Sequence, residues 1–210
     1  MTEQKPTLTT EQGLYDPAFD RDSCGFGLIA NLDDVESHRV VETAINALAR
    51  LTHRGAVAAD GKTGEGAGIH VQIQPAFFYD QIRRTGHEPR MDQLMAVGQV
   101  FLPRTDFGAQ ETCRTIVETE VLKMGYYIYG WRGVPVNIDC LGEKANATRP
   151  EIEQIIISNS KGVDEETFER ELYVIRRRIE KAASGAGVRD LYIASLSCRS
   201  IIYKGMMLAE

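Results

Sequence analysis

Residues 24–32 read Cys24-Gly25-Phe26-Gly27-Leu28-Ile29-Ala30-Asn31-Leu32, a cysteine followed by an apolar run punctuated by glycine. A short apolar run with glycine at its start reads as a buried strand whose backbone is approached closely at one end. The segment therefore predicts a strand that opens at Cys24. Ahead of it, residues 1–23 are polar, with two prolines and few apolar anchors (Leu14, Tyr15 and Phe19), and read as an extended leader. Behind it, Asp33-Asp34 marks a turn. Residues 37–55 then place Val40, Val41, Ala44, Ile45, Ala47, Leu48 and Leu51 on one helical face, with Ser37 as N-cap and Gly55 as terminator.

Farther out, a glycine-rich loop over 55–68 leads into IHVQIQ at 69–74, where strict alternation predicts a half-buried strand. FFYDQIRR predicts a short helix and LMAVGQVFL (94–102) a strand. A helix is expected over 109–124, with Thr112, Ile116, Val117, Val121 and Met124 inward and Gly125 ending it. The β-rich YYIYGWRGVPV stretch closes at Pro135, and IEQIIISN (152–159) is a further strand. Asp164 caps a long helix with a basic second half, and RDLYIASLS and RSIIYKG read as a closing hairpin. The chain is thus α+β, rich in sheet, with helices layered outside.

Composition narrows the function classes. The 210 residues include 43% hydrophobic and 26% charged positions, typical of a globular domain with its own core. A net charge of −6 argues against nucleic-acid binding through a general basic surface. No apolar run is long enough to span a bilayer, and residues 1–20 lack the apolar centre of a secretory signal. The expectation is a cytoplasmic protein with no membrane partner. The four cysteines, at 24, 113, 140 and 198, include no C-x-x-C pair, so they read as reduced thiols and mostly as small core residues.

Several motifs reduce to ordinary chemistry. Gly61-Lys62-Thr63 suggests a P-loop, but Ala56 stands where that pattern needs glycine, and the segment precedes a strand instead of opening a helix. Gly64-Glu65-Gly66-Ala67-Gly68 is likewise not G-x-G-x-x-G, and a tight loop needing positive φ is its better reading. The four histidines form no i, i+4 pair for a helical metal site. Arg176-Arg177-Arg178 point in different directions on a helix, with Glu171 and Glu180 near enough to pair with them. Asp164-Glu165-Glu166 is helix-start chemistry. By itself, Cys24 reads as a small buried residue.

The wider context sharpens that reading. Cys24-Gly25-Phe26-Gly27-Leu28-Ile29-Ala30, the helix end Leu51-Thr52-His53-Arg54-Gly55-Ala56, and Ala59-Asp60-Gly61-Lys62-Thr63-Gly64-Glu65-Gly66-Ala67-Gly68-Ile69 together resemble the amino-terminal glutaminase domain of glutamate synthase large chains. The Cys-Gly start and the His-Arg-Gly helix end are shared with class II glutamine amidotransferases in general. The Asp-Gly-Lys-Thr-Gly stretch is more particular to glutamate synthases. The resemblance continues through IEQIIISN, LYVIRRRIEK and LYIASLS to IIYKGM.

The resemblance implies the four-layer α-β-β-α sandwich of N-terminal-nucleophile hydrolases, here incomplete at the C-terminus. It divides the chain into a leader at 1–23 and an amidotransferase portion at 24–210. Removal of the leader would make Cys24 the first residue. An α-amino group of pKa about 7.7–8.0 can then take the proton of a thiol of pKa about 8.5, so one residue supplies both nucleophile and base. Arg54 would play a supporting electrostatic role, against ordinary pairing with the helix C-terminus. The implied substrate is L-glutamine. Ammonia would pass to downstream synthase domains that carry FMN and an iron–sulfur cluster, fed by a small electron-donating subunit or ferredoxin, and no motif for either cofactor occurs in this sequence. Competing readings are another class II amidotransferase and a non-catalytic fragment or interaction domain.

One departure matters. The family's oxyanion hole uses an Asn side chain beside a Gly amide. None of the asparagines here (31, 46, 137, 146 and 159) precedes glycine. The 210 residues alone are therefore expected to have negligible glutaminase activity.

Overall fold

A computed structural model describes residues 25–33, 35–51 and 55–207. Its centre is a four-stranded antiparallel sheet built from β2 (Met95–Leu102), β3 (Tyr127–Gly133), β4 (Glu151–Ser158) and β5 (Tyr192–Ser197), in the order β3-β4-β2-β5. A second sheet pairs β1 (Thr63–Gln72) antiparallel with β6 (Ser200–Met207). The helices are α1 (His38–Ala49), α2 (Pro75–Arg84), α3 (Phe107–Lys123), α4 (Glu143–Thr148) and α5 (Glu165–Gly185). The expected mixture of helix and antiparallel sheet is present.

The central strands are apolar on both faces because both faces are covered. Ile155 and Ile157 on β4, with Ala96, Val100 and Leu102 on β2, meet Val117, Val121, Phe168, Leu172, Ile175 and Ile179 from α3 and α5. On the opposite face Met95, Val97 and Ile156 pack with Ile73, Phe78, Ile82 and Ile201. Each buried Ile, Leu or Phe side chain contributes on the order of 1.5–3 kcal/mol of transfer free energy. Gly98 on β2 is required by close packing: a Cβ there would stand 2.7 Å from Ile155 Cγ2 and 3.1 Å from Leu196 Cδ1.

Most polar groups inside this frame are paired; the buried Asn159 donates through Nδ2 to Val163 O at 2.6 Å, while its Oδ1 has no partner among the described residues. Gln99 and Gln154 face each other across β2 and β4, and Gln154 Nε2 donates to Gln99 Oε1 at 2.7 Å. Arg132 Nη1 donates to Gln154 Oε1 at 2.5 Å while its guanidinium lies over the Phe77 ring. The Arg114 fork donates to Glu153 at 2.8 and 2.6 Å, tying α3 to β4.

Helix ends follow the expected cap chemistry. Asp164 accepts from Thr167 N at 2.9 Å, Asp106 from Ala109 N at 2.9 Å, and Ser37 from Arg39 N at 3.2 Å. Glu180 pairs with both Arg176 and Arg177, the intramolecular pairing expected for that basic run, whereas Arg178 donates to Met124 Sδ. Glu171 is engaged instead by Lys161 and by the Tyr126 hydroxyl. The last turn of α5 carries no basic residue.

Several expectations need correction. Residues 25–31 form no strand, and Phe26 and Leu28 are 94% and 89% exposed. A strand needs a hydrogen-bonding neighbour, and no described strand pairs with this segment. Helix α1 stops at Ala49 with a tight turn from Arg50 N to Ala47 O, well before Gly55, and none of its residues is buried. The glycine-rich stretch becomes strand already at Thr63. There the β6 backbone lies so close that a Cβ on Gly68 would stand 2.9 Å from Tyr203 O. In α3 the buried set is Gln110, Cys113, Val117, Glu120 and Val121, with Ile116 and Met124 packed against the core as expected, whereas Thr112 is exposed and returns its hydroxyl to Gly108 O. Strands β5 and β6 are not a hairpin: the turn between them carries the chain from one sheet to the other. Of the three described cysteines only Cys113 is buried. No helix among the described residues is long and apolar enough to cross a membrane.

Candidate functional site

Cys24 and Arg54, the two residues expected to carry the chemistry, both lie outside the described residues. The described chain begins immediately after the first, at Gly25, and resumes immediately after the second, at Gly55.

On the first side, Asn31 Nδ2 donates to Val35 O at 2.6 Å, closing the turn that leads to the Ser37 cap of α1. On the second side, a compact loop returns the chain to β1. Val57 bridges to Gly64, Ala58 N donates to Thr63 O at 2.9 Å, and Gly61 N donates to Ala58 O at 3.0 Å. Gly61 has φ of 71°, the left-handed conformation that glycine takes at no steric cost, whereas the tight turn expected over 64–68 is strand, with only Gly66 there at positive φ.

Asp60 organises that loop. Its Oδ1 accepts from Lys62 N at 3.1 Å and Thr63 N at 2.8 Å, and its Oδ2 accepts from Thr63 Oγ1 at 2.5 Å. The hydrogen bond from the Thr63 hydroxyl, followed by those from the Thr63 and Lys62 amides, holds the Asp60 carboxyl well below the usual carboxylate range. Sequence reasoning treated this stretch as a glycine turn and missed Asp60 and Thr63. The signal was available in the Asp-x-x-Thr spacing, which lets a side chain take over backbone donors.

Among the described residues the other reactive groups do not assemble a centre. His70 Nε2 lies 2.6 Å from Ser200 Oγ across β1 and β6, in an open groove of about 650 Å³ beside α5 and β5. Cys198 Sγ donates to Glu169 Oε2 at 3.1 Å. Burial, and then that hydrogen bond, push its thiol up to about 12. Burial likewise pushes the Cys113 thiol up. Among the described residues no three His, Cys, Asp or Glu side chains converge to hold a metal. Cys113 on α3, Cys140 in a 3₁₀ turn and Cys198 between β5 and β6 stand in separate elements and do not fit an iron–sulfur cluster.

Residues 24–210 match the family of class-II glutamine amidotransferases, and the chain belongs to that family. Within it, the chain is 60% identical over 96% of its length to the glutamate synthase [NADPH] large chain of Azospirillum brasilense. It is 37% identical over 95% of its length to the corresponding large chain of Bacillus subtilis, and 38% identical over 94% to a ferredoxin-dependent glutamate synthase of Arabidopsis thaliana. The chain spans only 13%, 13% and 12% of those relatives, respectively.

Proposed function

We propose that this chain is the glutaminase portion of a glutamate synthase large chain, with Cys24 as its nucleophile once residues 1–23 are removed. The observation that carries the reading is that the family match starts at Cys24. A nucleophile that doubles as its own base must be amino-terminal, and 23 residues stand ahead of this one. Two of the other three cysteines are held as thiols by burial, which leaves them unsuited to the same task.

In this reading the free α-amino group of Cys24 takes the thiol proton, and sulfur attacks the side-chain amide carbon of glutamine. Collapse of the tetrahedral intermediate expels ammonia, with the nitrogen taking up that proton, and leaves a glutamyl thioester. Water then hydrolyses the thioester to glutamate and restores the thiol. Arg54 would support the site electrostatically. The ammonia would go to 2-oxoglutarate, and the resulting imine would be reduced to glutamate elsewhere in the longer protein. To that part we assign FMN, an iron–sulfur cluster and an electron source, either a small subunit or ferredoxin; no step on the present residues passes through them. The four-stranded sheet with α3 and α5 on one face and the β1–β6 pair on the other supports a four-layer α-β-β-α sandwich. We assign the protein to the cytoplasm.

The test is intact-mass analysis of the full-length protein together with glutamine hydrolysis by Cys24→Ala. The expected result is a mature chain beginning at Cys24 and a variant with no glutaminase activity. A mature protein that keeps Met1 through Ser23 and still hydrolyses glutamine would overturn the mechanism. The isolated 210 residues, with no Asn-Gly pair, are expected to be inactive. Loss of one oxyanion donor alone costs about 10²–10³ in rate, and normal turnover by this chain would contradict that expectation.

A further inference from the structure

Strand β5 ends the central sheet, and its two edges are in different situations. One edge pairs with β2. The other has no strand partner among the described residues, and no described loop backbone hydrogen-bonds to it. Yet Ile193, Ala194, Ser195, Leu196 and Ser197 are all buried, at 2% to 8% exposure. Buried backbone N–H and C=O groups left without partners cost free energy comparable to a lost hydrogen bond, and folded proteins rarely leave them so.

The opposite edge strand meets the same problem and solves it. There β3 shifts register against β4 between Ile128 and Gly130, and Thr85 Oγ1 donates to Tyr129 O at 3.2 Å. Strand β5 also shifts register, against Gln99 and Val100 of β2, but gains no such cover from the described residues. Its sequence, Tyr192–Ser197, carries neither charge nor proline, the usual guards of an exposed edge.

The groove of about 650 Å³ lies at this edge and is lined by Ala194 through Ser197. One wall is α5, which presents Tyr173 and Val174 there at 64% and 40% exposure, although its other apolar face is core. The opposite wall carries His70 and Ser200 from the second sheet.

We infer that an extended segment of the longer protein, from outside these 210 residues, adds as a further strand to β5 and fills the groove. The inference rests on the reading of this chain as one portion of a large chain, and it needs no role for Cys24 or Arg54. At the ordinary strand spacing of about 4.8 Å, the added main chain satisfies the open edge. Its side chains alternate between an apolar set against Tyr173 and Val174 and a hydrogen-bonding set toward His70 and Ser200. Most of each relative's length lies outside the matched stretch. A segment tethered in this way reaches the groove at an effective concentration on the order of mM, which a second copy in dilute solution does not match.

The test uses the full-length protein with Tyr173→p-benzoylphenylalanine, a photoreactive aromatic at an exposed position. Ordinary and nitrogen-15-labelled protein are mixed before irradiation, so that links within and between molecules differ in mass. The expected cross-link joins position 173 to a residue of the same molecule outside 1–210. Hydrogen exchange is followed in the same protein. The amides of 192–197 that do not bond to β2 are expected to exchange at least about 100-fold more slowly than free amides. A link between molecules, a link within 1–210 or no link at all would overturn the inference. So would free-amide exchange at those positions, even beside the expected link, because a docked segment that leaves the edge unpaired is not a strand. The proposed catalytic role fails separately. Retained glutamine turnover in Cys24→Ala refutes the nucleophile and moves neither readout, whereas an inactive Cys24→Ala beside a bare β5 edge refutes only the added strand. A natural protein whose intact mass ends at Glu210 refutes the large-chain reading and the strand together.

Discussion

Helices α5 and α1 are written in the same code and end in opposite situations. Each has a side-chain N-cap and apolar residues recurring at helical spacing. Yet α5 buries Phe168, Leu172, Ile175, Ile179 and Ala183, while α1 buries nothing and leaves Ile45 53% exposed. The difference is the neighbour. Helix α5 faces a complete sheet surface offered by β2, β4 and β5, whereas α1 lies beside a sheet of two strands. Helical stability in proteins comes mainly from packing an apolar face, and only weakly from propensity. A stripe of apolar residues therefore predicts that a helix wants a partner, not that it has one.

The comparison can be broken most directly by paired truncations. Phe168→Ala removes a fully buried ring packed beside Tyr126 and is expected to cost about 3–5 kcal/mol in urea unfolding. Ile45→Ala on α1 is expected to change stability by less than about 0.5 kcal/mol in the same chain. If Ile45→Ala cost as much as a core truncation, α1 would be buried in solution and the contrast would vanish. Hydrogen exchange gives the parallel readout, with slow amides in α5 and fast ones in α1.

A smaller effect separates the packed region by pH. Lys161 and the Tyr126 hydroxyl both donate to Glu171, and the Lys161 hydrogen bond is the main reason its carboxyl lies below the ordinary 4.5. A depressed carboxyl pKa stabilises the fold above the unfolded value, and that stability is lost as pH falls through the folded value. Glu171→Gln is therefore expected to cost about 1 kcal/mol at pH 7, with the deficit shrinking below about pH 4.5. Denaturant titrations at pH 7 and pH 3.5 check this. A deficit that grows on acidification would contradict the assigned cause.

How much of this was legible in the sequence depends on the range of the interaction. Helix α5 could be read nearly residue for residue, because Asp164, the apolar period and the Glu180 partners are all local. So could the existence of β4, read as a strand from IEQIIISN, though not that its Ile155, Ile156 and Ile157 are buried on both faces. The exchange of sheets between β5 and β6 was not legible: a tight turn between two strands looks the same whether they pair with each other or part. Nor was the close approach of Gly142 to Asp60 and Thr63 legible, since nothing near it in the chain announces them. Glu171 was read as a partner for the arginine run because helical spacing allows it, and tertiary contact with Lys161 and Tyr126 decided otherwise. Cys24 and Arg54 came from motif resemblance, the one kind of signal that periodicity and charge do not contain.

The finest version of the contrast is between the two caps. Asp164 accepts from the Thr167 amide and, at 2.7 Å, from its hydroxyl, at the head of a helix coupled to the core. Ser37 accepts from Arg39 N at 3.2 Å at the head of a helix that buries nothing. Loss of a cap typically costs about 1 kcal/mol when the helix is part of the cooperative unit. Asp164→Ala should therefore lower global stability by about that amount, while Ser37→Ala should leave it within about 0.3 kcal/mol. The lost Ser37 cap should appear only locally, as faster amide exchange in the first turn of α1. Equal global costs for the two substitutions would mean that α1 unfolds with the core, and that its exposed apolar face is covered by something the described residues do not include.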